Sequence, residues 1–252
     1  MGLAPYGDPQ SDRVAKYTET IKKELVDISD DGSIWLNQEY FDYATGLKMV
    51  DEEKWKRLFG FPVRKPEAEL LAEHCDLALA IQRVTEETVL KMAAESKRLT
   101  GSKNICLAGG VALNCVANGK LLRDGMFDGM WIQPAAGDAG GALGAAYCAY
   151  HIYFDKPRFA DDKTDKMKGS YLGPQFSDLD IQLTKKRYKG VSAYYEDIDE
   201  LCSRVAGLLD EGKVVGWFQG RMEWGPRALG NRSIISDAVS YTHLTLPTIY
   251  SV

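Results

Sequence analysis

Apolar residues recur along this chain at spacings that switch between helical and extended. Val14, Tyr17, Ile21 and Leu25 fall three and four apart, which predicts a helix over Val14–Val26 with one buried face. Between Ile28 and Leu36 the alternation is weak and is broken by Asp30-Asp31-Gly32, the composition of a hairpin turn. Tyr40, Phe41 and Tyr43 follow among polar residues; they read as core or lid packing, with substrate contact as the alternative. Lys54 to Phe61 is apolar-rich and stops at Phe61-Pro62. The longest helix is predicted from Pro66 to about Leu99. Proline suits a first helical turn, and Leu70, Leu77, Ile81, Val84, Thr88 and Met92 recur at three, four and seven, so one face is expected to be buried. Gly101-Ser102 closes that helix.

The centre of the chain holds two similar units. Asn104 to Ala108 reads as a buried strand, Gly109-Gly110 as a turn, and about Ala112 to Arg123 as a helix. Met130 to Pro134 reads as a second buried strand, followed by Gly137-Asp138-Ala139-Gly140 and an apolar helix towards Tyr150. Lys156 to Gly169 is charged, poor in large apolar residues and the best linker candidate. Beyond it, Phe176–Leu183 and Val191–Tyr195 flank the basic run Lys185-Lys186-Arg187-Tyr188-Lys189, which is read as a solvated face, with RNA contact as the alternative. Ile198, Leu201, Val205 and Leu208 mark a helix over Asp197–Glu211 that Gly212 ends, and Val214–Phe218 reads as a buried strand.

Composition narrows the function classes. A chain of 252 residues accommodates one large domain or two small ones, and 45% hydrophobic content is ordinary for a globular protein. A net charge of −5 leaves no electrostatic footprint for nucleic acid, which is not expected as a partner. The five cysteines lack any CxxC or Cys/His spacing, so they are expected to be reduced thiols in a cytoplasmic protein. The apolar stretch near Ala139–Tyr150 is too short for a bilayer span, and the N-terminus has no secretory pattern. His74 and His151 stand apart from other metal-ligand residue types and read as structural.

Candidate chemistry gathers at the glycines and arginines. A turn without Cβ atoms lets backbone N–H groups approach a phosphate, which makes Gly110 and Val111 candidate ligands; close strand–helix packing is the alternative. Asn114 either caps the next helix or binds ligand. Asp138 is the one charged residue of its turn, where a carboxylate is costly to bury without a partner, and reads as an Asx-turn or N-cap aspartate for the following helix. Arg221, Arg227 and Arg232 lie within twelve residues, spaced by glycines and a proline, and guanidinium groups suit polyanions; alternatively Arg221 pairs with Glu223 in a structural network. No Ser/His/Asp or Cys/His constellation is evident.

Three separated motifs carry a family resemblance: Met1 to Pro9, Ala108 to Asn114 with Gly137 to Gly140, and Gly220 to Ser233. Together they resemble the carbamoyltransferase family of nodulation-factor and antibiotic biosynthesis. The resemblance implies an α/β fold: the C-terminal part of an actin/heat-shock-ATPase-like (ribonuclease H-like) domain over residues 1–155, a linker at 156–169, and the start of a YrdC-like α+β domain over 170–238. It implies an O-carbamoyltransferase that makes carbamoyl-adenylate from carbamoyl phosphate and ATP and passes the carbamoyl group to a hydroxyl of a sugar or natural product. On that basis Gly109, Gly110, Val111 and Asn114 would bind nucleotide. Arg221, Arg227, Arg232 and Ser233 would contact phosphate, with Arg227 and Arg232 acting in catalysis. Asp138 would be one ligand of a divalent metal, iron or another transition metal. A tRNA threonylcarbamoyl-transferring enzyme is the main rival reading, and an inactive nucleotide-binding fragment the other. The family's N-terminal half, with a histidine pair for metal, is expected to be missing, so the chain alone is expected to be inactive. Residues 239–252 fit nothing in the family and are expected to be non-native, with a divergent natural C-terminus as the alternative.

Overall fold

The computed structural model describes residues 2–65, 68–159, 161 and 163–237. It is a mixed α/β structure of helices and small two-stranded sheets, and it divides into two units, residues 1–132 and 133–252.

The first unit is built on two helices, α1 (Asp12–Thr20) and α3 (Ala72–Thr100). Ser11 caps α1 by accepting the Arg13 N–H at 3.2 Å, and a wider π turn over Ile21–Leu25 extends it as the apolar spacing predicts. Strands β1 (Val26–Ile28) and β2 (Ile34–Leu36) then form the expected antiparallel hairpin. Gly32 takes φ +79° at its turn, and Asp31 Oδ1 accepts from both the Ser33 N–H and its hydroxyl. Helix α2 (Glu52–Phe59) is capped by Asp51 and closed by a left-handed Gly60.

Side chains from α1, α2 and α3 meet in the core of this unit. Val14, Tyr17, Ile21, Leu25, Phe59, Ala80 and Val84 are buried together, with Tyr40, Phe41, Trp55 and Phe61 packed against them. Tyr17 and Phe59 meet edge-to-face with ring centroids 5.4 Å apart, and Trp55 donates its indole N–H to the Tyr40 carbonyl at 2.9 Å. Tyr40 and Phe41 are therefore packing residues, while Tyr43 remains exposed, its ring edge-on to Phe41 and its hydroxyl accepting from Gln38 Nε2 at 2.8 Å.

Helix α3 departs from the predicted picture in two ways. Its start at Pro66 lies outside the described residues, and the helix itself begins at Ala72, after an extended Leu71 whose N–H is accepted by His74 Nδ1 at 3.0 Å. His74 is thus a capping residue that also packs on Phe61. Ile81 and Met92, placed on the buried face by spacing, are exposed, whereas the polar Gln82 and Glu86 are buried. The reason is that α3 is covered on two sides: one stripe meets α1, and another meets α4 (Cys115–Asp124). A left-handed Gly101 ends α3 as expected.

Strands β3 (Asn104–Leu107) and β4 (Gly129–Ile132) pair in parallel, Asn104 opposite Gly129 and Leu107 opposite Ile132, with α4 as the crossover. Neither is buried as predicted. Ile105 and Leu107 are half-buried while Asn104 and Cys106 are exposed, because a two-stranded sheet with one helical layer covers only one face.

In the second unit, α5 (Asp138–Cys148), α6 (Asp178–Tyr188) and α7 (Ile198–Asp210) carry no buried residue. Strands β5 (Val215–Phe218) and β6 (Arg232–Ile235) pair antiparallel, with Trp217 opposite Ser233 and Phe218 opposite Arg232. The predicted burial of β5 fails at Gly216 and Phe218, both exposed, since this sheet too has only two strands. The basic run Lys185–Arg187 sits on the exposed last turn of α6. All five cysteines are free thiols. Among the described residues no helix is long and apolar enough to cross a membrane.

Phe59 joins α2 to the core through Tyr17 and Trp55, so Phe59→Ala should destabilise the first unit by about 3–5 kcal/mol. Denaturant unfolding followed by circular dichroism measures this; a loss under about 1 kcal/mol would remove Phe59 from the core's centre.

Candidate functional site

The residues selected from the sequence fall into separate places on the two units. In the first unit, Gly109, Gly110, Val111 and Asn114 form one turn between β3 and α4. Gly109 has φ +97° and ψ 164°, a conformation that essentially only glycine adopts. It starts a 3-10 turn over Gly110–Leu113, tied by the Ala112 N–H to the Gly109 carbonyl at 3.0 Å and the Asn114 N–H to the Val111 carbonyl at 2.9 Å. The space where Cβ atoms would stand on Gly109 and Gly110 is open for 4 Å, so close packing is not what requires these glycines.

Asn114 caps α4: its Oδ1 accepts the Ala117 N–H at 3.1 Å. It is also buried, and it lines a shallow pocket of about 360 Å³ with Gly110 and Val111 of the turn and Ala78, Ile81, Gln82 and Thr85 of α3. The wall of that pocket is a polar network the sequence reading missed. Gln82 Nε2 donates to Asn114 Oδ1 at 3.1 Å, and Asn114 Nδ2 donates to Gln82 Oε1 at 3.0 Å. Gln82 Nε2 also donates to Glu86 Oε1 at 2.7 Å, and Lys120 of α4 closes an ion pair on Glu86 Oε2. Asn118 Nδ2 donates to the Ala112 carbonyl at 2.7 Å, which fastens the turn from beneath. Breaking one member of such a buried set leaves an unpaired group at a cost of about 1–3 kcal/mol. The signal available in sequence was the pair Gln82 and Glu86 at i and i+4 of an amphipathic helix, a spacing that puts both on one face.

The arginine motif lies in the second unit, on the loop from Gln219 to Asn231. Its centre is Glu223, whose side chain is fully buried. Glu223 Oε1 accepts the Leu229 and Asn231 N–H groups, both at 2.7 Å, and Oε2 lies 3.5 Å from Arg232 Nε without hydrogen-bond geometry. Burial pushes the Glu223 carboxyl up, but the Asn231 and Leu229 N–H bonds and the Arg232 charge outweigh it and hold the group below its ordinary value. The alternative pairing of Arg221 with Glu223 is not what forms. Arg221 donates instead to the Gly173 carbonyl at 2.8 Å, because the loop turns Glu223 inward onto its own backbone.

The three arginines therefore differ. Arg232 is half-buried at the start of β6 and donates to the Gly225 carbonyl beside Glu223. Arg221 is exposed but bonded, and Arg227 is exposed with no partner among the described residues. Ser233 is half-buried in β6 opposite Trp217. Gly225 has φ +111°, and a Cβ there would stand 2.9 Å from the Pro134 carbonyl oxygen, so this glycine is required by close approach.

Asp138 is exposed at the first position of α5, with Gly137 as N-cap, and its side chain has no hydrogen-bond or ion-pair partner among the described residues. It adds a negative charge to the helix N-terminus, a favourable placement. Among the described residues no three His, Cys, Asp or Glu side chains stand close enough together to hold a metal ion.

Comparison with known proteins agrees with these motifs. The model of the carbamoyltransferase N-terminus matches residues 1–147, and that of the carbamoyltransferase C-terminus matches residues 206–245. The chain belongs to the carbamoyltransferase family, a family of enzymes. It is 52% identical over 239 residues to an uncharacterized protein of Synechocystis sp., covering 94% of this chain and 37% of that protein. It is 35% identical over 240 residues to nodulation protein NolO of Bradyrhizobium diazoefficiens (94% and 39%). It is 29% identical over 208 residues to 3'-hydroxymethylcephem-O-carbamoyltransferase of Streptomyces clavuligerus (79% and 37%). The chain thus spans less than two fifths of the length of these relatives.

The depressed Glu223 carboxyl sets a pH dependence. Its folded value lies below that of the unfolded chain, about 4.3 for a free glutamate, so its contribution is complete above that pH and lost as pH falls through the folded value. Hydrogen-exchange protection of the Leu229 and Asn231 N–H groups, corrected for intrinsic rates, should be flat above about pH 5 and fall in more acid solution. Glu223→Gln should remove the pH-dependent part; a profile unchanged by that substitution would take Glu223 out of its central role.

Proposed function

We propose that this chain is part of an O-carbamoyltransferase and that the pocket between α3 and the Gly109–Asn114 turn holds the adenylate. The observation that carries the reading is the pocket itself: an open Gly-Gly turn at the end of a parallel strand, next to buried amides, inside the segment matched by the carbamoyltransferase N-terminal model. The N–H groups of Gly110 and Val111 open the 3-10 turn and donate to no group among the described residues, which leaves them free for phosphate oxygens.

On this reading the β3–α4–β4 unit belongs to an actin/heat-shock-ATPase-like, ribonuclease H-like domain over residues 1–155, and residues 170–238, after a linker at 156–169, begin a YrdC-like one. In the YrdC-like domain, carbamoyl phosphate, ATP and water give a carbamoyl-adenylate, with phosphate and pyrophosphate as the leaving groups. The acceptor hydroxyl oxygen then attacks the carbamoyl carbon, the carbon–oxygen bond to the adenylate phosphate breaks, AMP leaves, and the hydroxyl proton passes to solvent or a base. The chain's part is to hold the adenylate by backbone N–H groups and to neutralise phosphate charge. Arg227, exposed and unpartnered, suits that second role best; Arg221 keeps donors beyond the one given to Gly173. Arg232 and Ser233 also belong to the phosphate set, Arg232 with part of its guanidinium committed to Gly225 and Glu223. An O-carbamoyl acceptor is supported by the cephem carbamoyltransferase among the relatives.

Asp138 offers one carboxylate towards a divalent metal, iron or another transition metal. The donor set among the described residues does not by itself fit a metal site, so any ion held there needs its other ligands from elsewhere, and no step is routed through it.

The test is ATP binding by the 252-residue chain, measured by titration calorimetry, beside Gly109→Ala. That substitution meets no neighbour but strains a φ of +97°, so it should distort the turn and weaken ATP binding by about tenfold or more while the chain still folds. Equal affinity in both proteins would move the nucleotide away from this turn.

A further inference from the structure

We propose that the Lys120–Glu86 ion pair is a positioning device for the pocket, acting through Gln82 on Asn114; the proposal rests on the nucleotide reading above. A side-chain amide can sit in two orientations half a turn apart, exchanging its donor and acceptor ends. Both amides of this pocket are held in one orientation from outside. The Ala117 N–H demands an acceptor, so Asn114 must turn Oδ1 towards it. The ionised Glu86 carboxylate offers no hydrogen, so Gln82 must turn Nε2 towards it. With both ends fixed, the two amides meet head to tail at 3.1 and 3.0 Å.

Glu86 is buried, and a carboxylate out of water is costly without a partner of opposite charge. Lys120 supplies that charge from α4, the helix that Asn114 caps. A chain of contacts therefore runs from Lys120 through Glu86 and Gln82 to Asn114 and the turn.

Counting valences shows what the lock presents to a ligand. Both hydrogens of Gln82 Nε2 are used, on Glu86 and Asn114, and Asn114 Oδ1 already accepts twice. One hydrogen on Asn114 Nδ2 and one lone pair on Gln82 Oε1 remain. These two residues line the pocket, so its wall carries a donor beside an acceptor in an order set by Glu86. That pattern complements a ligand edge with adjacent acceptor and donor, such as the ring nitrogen and exocyclic amine of adenine.

Glu86→Gln removes the charge and nearly keeps the shape, so Gln82 becomes free to turn over. Lys120→Met removes the charge that holds Glu86, at a site almost half exposed that should tolerate it. Binding of ATP to the 252-residue chain should weaken about tenfold in each, with the far-UV spectrum unchanged. Lys120→Arg, which keeps the charge, should recover most of the affinity lost in Lys120→Met. In the Glu86→Gln protein the Asn114 side-chain amide resonances should split or broaden as two orientations exchange. If the unsubstituted chain binds ATP and both Glu86→Gln and Lys120→Met bind it equally well, the positioning role is overturned and the nucleotide reading stands. If Lys120→Arg loses as much as Lys120→Met, charge is not what acts and the proposal also falls. If the unsubstituted chain binds no ATP, the nucleotide reading fails and takes this inference with it.

Discussion

A buried amide pair, Gln82 on α3 and Asn114 at the start of α4, is the interaction on which the organisation of the first unit's pocket depends. It joins the longest helix to the turn that follows the first parallel strand, and it does so with hydrogen bonds in both directions. Neither side chain can leave the other without stranding buried polar atoms. The same Asn114 oxygen caps α4, so helix start, turn shape and pocket wall are set by one residue. The apolar core formed by α1, α2 and α3 supplies most of the burial in this unit, but it holds α3 in place without specifying what the far side of that helix presents.

The second unit solves a similar problem with a charge. Its arginine loop contains three glycines at positive φ, Gly220, Gly225 and Gly230, and so has little stiffness of its own. Glu223 supplies the order by drawing two backbone N–H groups and Arg232 onto one buried carboxylate. Ser170 adds a second tie, exchanging bonds of 2.7 Å with Trp224 through its hydroxyl and carbonyl. Arg232 is thereby part of the loop's frame as well as a candidate for phosphate, whereas Arg227 is left to solvent.

Much of this was legible in the sequence, for identifiable reasons. Helices α1 and α7, the β1–β2 hairpin and the left-handed stop at Gly101 follow from apolar spacing and glycine, which act locally. The Gly109–Asn114 turn was legible because glycine pairs after a short apolar run have few other uses. What could not be read were burials that depend on a partner element. Ile81 and Gln82 exchange their expected places because α4 brings a polar face to α3, and no periodicity within α3 contains that information. Glu223 was set against Arg221 because they are near in sequence, while the loop's return brings Leu229, Asn231 and Arg232 to it instead. The roles of Asp138 and Arg227 rest on family resemblance, since each is an exposed side chain whose function needs a ligand to define it.

The central claim is that nucleotide sits between α3 and the Gly109–Asn114 turn. Photolabelling of the 252-residue chain with 8-azido-ATP, followed by peptide mapping, tests it most directly. Label suppressed by excess ATP and confined to peptides from α3 or from residues 108–118 is the predicted result. Suppressible label confined to other peptides, with none on these, would contradict the account.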